Sequence, residues 1–265
     1  MNRQDYRDAF DAVTFSEDFE ARTLRKLDAA LDPSSEKESC VMRKNRMKKL
    51  ALLVAAAVVL LAAGVSAAVL WRSPAQVADA MDNPTLAAAF AGEDAVVCNE
   101  TQVVGDYAVT LLGTVSGRNL SAWGSDLAAD HTYVVTALAR TDGTPLEAET
   151  FDAFSWTTTP LVAGCPVRAV NSWTLDGFAQ CQVLDGIAYY ILDVQNLQVF
   201  ADRTVYLAVY QGGTPSPSQF PMAEDGSLSL ADPAAGALFT LPLDADLADP
   251  AAAAAFLEDL GLGET

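Results

Sequence analysis

RKNRMKKLALLVAAAVVLLAAGVSAAVLWR, Arg43 to Arg72, divides the chain into two parts of different character. Its middle, Leu50 to Trp71, is 22 residues without a charge: 11 Leu or Val, eight Ala, one Gly, one Ser and one Trp. At about 1.5 Å per residue a helix over this run reaches roughly 33 Å, enough to cross a hydrocarbon core of about 30 Å. Lipid offers no partner for free backbone N–H and C=O groups, so a single span there must be helical. Arg43, Lys44, Arg46, Lys48 and Lys49 stand before the run, and Trp71 and Arg72 stand at its far end. Basic residues are retained on the cytoplasmic side and indole favours the interface. These residues therefore predict one pass, with the N-terminus inside and the C-terminal part outside. A rival reading uses the same stretch: Val65-Ser66-Ala67 resembles a cleavage site, and a start at Met42 or Met47 leaves an ordinary secretion signal. The 49 residues ahead of the run, counted from Met1, are too many for a normal n-region and favour an uncleaved anchor.

Charge divides at the same place. Residues 1–49 carry 11 basic and 10 acidic side chains, whereas residues 72–265 carry five Arg, no Lys and 25 acidic side chains. A net charge of −19 over 265 residues argues against a nucleic-acid partner, which needs clustered Lys and Arg. The organisation expected is a cytoplasmic segment over 1–49, a transmembrane helix over 50–71, a helical stalk or cap over 72–93, and an extracytoplasmic domain over 94–265.

The first 49 residues are too few to bury a core. Within them FSEDFEARTLRKLDAAL, Phe15 to Leu31, has a helix-capping Ser16, acidic residues in its first turn and Asp32-Pro33 as a stop. Phe19, Leu24, Leu27 and Leu31 form an apolar stripe on that amphipathic helix, and Phe15 lies just upstream. An isolated helix of this length is marginal in water, so the stripe calls for a partner. Net charge over residues 1–41 is −4, which disfavours an anionic membrane surface and favours docking on a cytoplasmic protein.

Beyond Arg72 the sequence first reads helical. SPAQVADAMDNPTLAAAFAG gives two short pieces, the second starting at Asn83-Pro84 and ending at Gly92. The texture then becomes β. TQVVGDYAVTLLGTVSG reads as a hairpin about Gly105-Asp106, with Tyr107, Val109 and Leu111 on one face. HTYVVTALAR is a strand that ends at the turn Thr141-Asp142-Gly143-Thr144, and Asp185-Gly186 marks a further turn. Val205, Leu207 and Val209 alternate along another strand, ALFTLPL is a last strand, and Asp249-Pro250 caps a final helix. Seven or more short strands with long loops predict a mainly β domain, an immunoglobulin-like antiparallel sandwich with flanking short helices.

No catalytic constellation emerges. His131 is the sole histidine, beside Asp130 before a strand, and reads as a turn residue. Gly113-Thr-Val-Ser116-Gly117 lacks the nucleophile-elbow spacing, and no phosphate-cradling glycine pattern occurs. Asp244, Asp246 and Asp249 sit close together but fail the calcium-loop pattern. Asn99-Glu-Thr101 and Asn119-Leu-Ser121 match a glycosylation pattern that short sequences meet by chance. Cys98, Cys165 and Cys181 lie in the outer part and Cys40 in the inner; a Cys165–Cys181 bridge is a question for geometry. Neither a cofactor nor a metal is expected, and no enzymatic activity.

The layout of FSEDFEARTLRKL, a basic stop, one apolar span and a β domain with VYLAVYQGG near its end resembles single-pass anti-sigma-factor-like membrane proteins of Gram-positive bacteria. Some of these carry an uncharacterised immunoglobulin-like ectodomain. The resemblance implies that the inner segment holds a sigma factor through Phe15, Phe19, Leu24 and Leu27, while the outer domain senses or binds an envelope ligand. Many such proteins use a zinc-binding His and paired cysteines inside; here Cys40 is alone and residues 1–49 hold no His. The expectation is thus a regulatory protein lodged in the bilayer of a bacterial cell, engaging a cytoplasmic partner and an outer ligand. The alternative is an exported or anchored binding module with no inner partner.

Overall fold

The computed structural model describes residues 71–117 and 129–262. The chain divides into two units, Met1–Met47 and Lys48–Thr265, and the described residues all belong to the second. They form helices α1 (Pro74–Ala80) and α2 (Pro84–Ala91), eight strands, and helix α3 (Pro250–Asp259). The strands are β1 (Val96–Val104), β2 (Tyr107–Ser116), β3 (His131–Arg140), β4 (Trp156–Val162), β5 (Phe178–Leu184), β6 (Ile187–Gln195), β7 (Val205–Gln211) and β8 (Gly236–Thr240).

All pairings are antiparallel. One sheet has the order β1-β2-β3-β6-β5 and the other β4-β7-β8. Strand period fixes how they stack. Val109 and Leu111 of β2, Val134 and Leu138 of β3, and Tyr190 and Leu192 of β6 meet Leu207 and Val209 of β7 and Phe239 of β8 in one core between the sheets. The intervening residues, among them Tyr133, Val135, Tyr189 and Ile191, point the other way and pack under α1 and α2. β2 and β3 are therefore buried on both faces and lack the polar alternation of a solvated sheet. The outer face of the smaller sheet is covered too, with Phe220 and Leu228 packing on Leu161, Ala208 and Tyr210.

Local signals explain the helix ends. Ser73 and Gln76 form a reciprocal capping box on α1, Asn83 accepts from Leu86 N–H on α2, and Asp249 accepts from Ala251 and Ala252 on α3, each ahead of a proline. Gly113 is required by close packing: a Cβ there would lie 2.6 Å from the Val96 carbonyl oxygen and 3.1 Å from the Pro74 ring.

The fold class expected from sequence is corrected. In place of an immunoglobulin-like sandwich joined to a membrane-crossing helix and an inner amphipathic helix, the described residues form antiparallel sheets with three short helices. None of these helices is long and apolar enough to cross a membrane. The longest, α3, has ten residues and reaches about 15 Å, half of a hydrocarbon core of about 30 Å. The larger sheet is also sandwiched between the smaller sheet and a helical layer, with an additional edge strand, β1. The expected helix over 15–31 and the expected span 50–71, except for its last residue Trp71, lie outside the described residues.

Candidate functional site

The two sheets leave two long sides where their edges come together, β1 beside β8 and β5 beside β4. At the first, the Gln102 amide spans the gap. Its Nε2 donates to Leu238 C=O at 2.8 Å and its Oε1 accepts from Leu238 N–H at 3.0 Å, as a neighbouring strand would. β1 also carries a bulge between Val97 and Glu100, with Asn99 at φ +56°.

The second side opens into a groove of about 560 Å³. Three exposed aromatic residues border it, Phe154 at 98%, Phe178 at 69% and Trp173 at 51%; Phe178, opposite Asp193 in the ladder, is on the other face of β5 from Ala179 and Cys181. Each is held by its own short-range scaffold. Phe154 rides on the 3₁₀ turn Ala153–Ser155, capped by Asp152 and fixed where Tyr190 Oη donates to Ala153 C=O at 3.1 Å. Trp173 follows the buried Asn171, whose Oδ1 accepts from Trp173 N–H at 3.0 Å and whose Nδ2 donates to Val167 C=O at 3.0 Å. Phe178 follows Gly177, where a Cβ would lie 2.9 Å from the Ser172 carbonyl oxygen, so that only glycine permits this approach. Backbone held in this way loses little conformational freedom when a ligand covers the aromatic residues it carries.

β5 forms one wall. It joins β6 through Asp185 and Gly186, at φ +52° and +79°, as a type I′ turn requires. Such a turn closes on the bonded pair Leu184–Ile187, so Gln182 and Gln180 also bond β6, while Ala179, Cys181 and Val183 direct their backbone groups away from it. Among the described residues those three make no backbone hydrogen bond outside the sheet. β4, across the groove, has its edge covered by the segment from which Ser172 N–H donates to Thr159 Oγ1 at 2.8 Å.

Cys181 reaches the groove, but burial pushes its thiol up to about 11; Cys98 is likewise pushed up to about 12. Both are held as thiols at neutral pH, and thiols are weak nucleophiles. Cys98, Cys165 and Cys181 are all free, so Cys165 and Cys181 are not bridged. His131 begins β3 with its Nδ1 at 2.5 Å from Asp193 Oδ1 and its ring stacked on Tyr133. Burial raises the Asp193 carboxyl, and the adjacent His131 partly offsets that; Gln195 lowers the Asp130 carboxyl by donating to it. No group of three or more metal-ligating side chains converges among the described residues. Asp244 and Asp249 act as caps, Asp244 accepting from Asp246 N–H.

Of the residues singled out from sequence, Phe15, Phe19, Leu24, Leu27, Leu31, Arg43, Lys44, Arg46, Lys48 and Lys49 lie outside the described residues. Trp71 is half-buried against the helical layer. The next residue, Arg72, is pinned to the β5–β6 turn: its guanidinium meets Asp185 at 2.7 Å, and its backbone N–H donates to Tyr189 Oη at 3.1 Å. Sequence reasoning missed Phe154, Trp173 and Phe178. The usable signal is that each stands within two residues of a turn-forming or capping Asp or Asn, where burial is not expected. No protein-family model matches the chain, no curated protein matches its sequence, and no solved structure matches it.

Proposed function

We propose that the β domain is a non-catalytic binding module whose ligand lies in the groove between β5 and β4. The observation that carries this reading is the trio Phe154, Trp173 and Phe178, three exposed aromatic residues that border one concavity on backbone segments held by local hydrogen bonds and close packing. Exposed apolar clusters of this kind mark interaction sites, whereas isolated exposed hydrophobic residues do not. The module belongs to a membrane-anchored regulatory protein of the anti-sigma type: the acidic part faces outward, and the stripe Phe15, Phe19, Leu24, Leu27 and Leu31 docks a cytoplasmic partner. Support for that wider role comes from the charge break at the uncharged run and from the resemblance of the N-terminal segment.

The groove is tested by replacing Phe154, Trp173 and Phe178 together with Ala and screening oligosaccharide and peptide arrays by thermal shift. Ligands that stabilise the native chain are expected to leave the triple variant unshifted. If no ligand distinguishes the two, the groove is not the binding site. The wider role is tested by co-purification of a sigma factor with the full chain, expected to disappear on Leu24→Asp and Leu27→Asp.

A further inference from the structure

We infer that the ligand of this groove is an extended, cationic segment of another protein that adds to the larger sheet as a new strand beside β5; the inference rests on the groove being the binding site. An edge strand presents a ready template for pairing, and proteins suppress it with charges, proline, bulges or covering segments. β1 has a bulge, Glu100 within the strand and the Gln102 bridge to β8; β4 has Pro160 and a covering segment. β5 has none of these. Its seven residues, Phe-Ala-Gln-Cys-Gln-Val-Leu, contain no charge, proline or glycine, and they pair with β6 without a register break. Ala179 and Cys181 turn free N–H and C=O groups into the groove at the strand repeat, beside Phe178 and opposite Phe154 and Trp173. Backbone pairing then supplies affinity, and the aromatic residues supply contacts for alternate side chains.

Charge selects the kind of strand. From Arg72 onward the chain holds 25 acidic side chains against five Arg, so a second copy is repelled and a basic partner is attracted. The adjoining cavity of about 500 Å³, which shares Trp156 with the groove, is lined by Glu147 and Asp152 against the one cation Arg140, which pairs with Asp142, so the acidic side chains outnumber the basic one there. A row of unpaired backbone groups suits polypeptide.

The test measures binding of a synthetic peptide that alternates lysine with valine or phenylalanine, matched to the seven residues of β5, to the full chain by Trp fluorescence and calorimetry. Methylating the peptide's backbone nitrogens on one edge, which keeps every side chain but removes the pairing donors, is expected to weaken binding about tenfold or more. Ala179→Pro is expected to do the same with an unchanged circular dichroism spectrum, because its N–H faces away from β6. Gln180→Lys, which places a charge on the edge, provides a second variant should the proline disturb folding. Binding unaffected by N-methylation, or the absence of any peptide binding, overturns the inference. If oligosaccharides rather than peptides bind in a Trp173-dependent manner, strand addition fails while the binding-module reading stands. If neither class binds, both fall.

Discussion

Gln102 and Phe178 stand on the two outer strands of the same five-stranded sheet and meet opposite fates. Gln102 turns inward and seals its side by copying a strand's hydrogen bonds to Leu238, while Phe178 and its neighbours stay exposed beside unpaired backbone. In charge the two strands differ only by Glu100 in β1. What separates them is what each edge meets across the gap: a bare strand on one side, two rigid loops with a space between them on the other. The β1 edge is bridged by one amide and the β5 edge is left bare, and the binding proposed above uses that difference.

That contrast can be broken at several strengths. Both sides depend on the shared core, so Phe239→Ala on β8, where the ring is fully buried, is expected to lower unfolding free energy by about 3–5 kcal/mol in urea titrations. Closing the β1 side is a matter of two hydrogen bonds. Gln102→Ala leaves the Leu238 N–H and C=O unpaired and is expected to cost about 1–3 kcal/mol, measured the same way. If it costs nothing, the two sides are not different in kind.

A pH measurement examines the end of β6 nearest the groove. Burial raises the folded-state value of Asp193, so the folded chain holds its proton more tightly than the unfolded chain. The stability this group contributes is therefore full below its unfolded value and declines as pH rises through the raised folded value. Asp193→Asn should remove that decline, visible as a melting temperature that falls less than that of the native chain as pH rises above the ordinary carboxylate value of about 4. The smallest effect belongs to the open side. Phe154→Ala, at a nearly fully exposed position, should change stability by no more than about 0.5 kcal/mol while weakening ligand binding. A large loss of stability there would mean that Phe154 serves the fold.

Much of the β domain is legible in the sequence. The Gly105-Asp106 and Asp185-Gly186 hairpins, the alternation of Val205, Leu207 and Val209 into the core, and the caps Asn83 and Asp249 follow from short-range rules. β4 does not, because Trp-Thr-Thr-Thr-Pro-Leu-Val has a proline inside it; Pro160 is accommodated because β4 is an edge strand. The helical layer explains why β2 is buried on both faces, with Leu112 and Val115 packed under it. The groove is illegible for a different reason. Phe154, Trp173 and Phe178 come from three separate segments, and only the pairing order, with β5 and β4 as adjoining edges, brings them together.

Arg72 is bonded both to the tip of the hairpin that carries the bare edge and, through Ser73, to the first capped helix. The exposed ion pair to Asp185 is worth only about 1 kcal/mol or less, so the hairpin tip can be released from the start of the domain without disturbing the core.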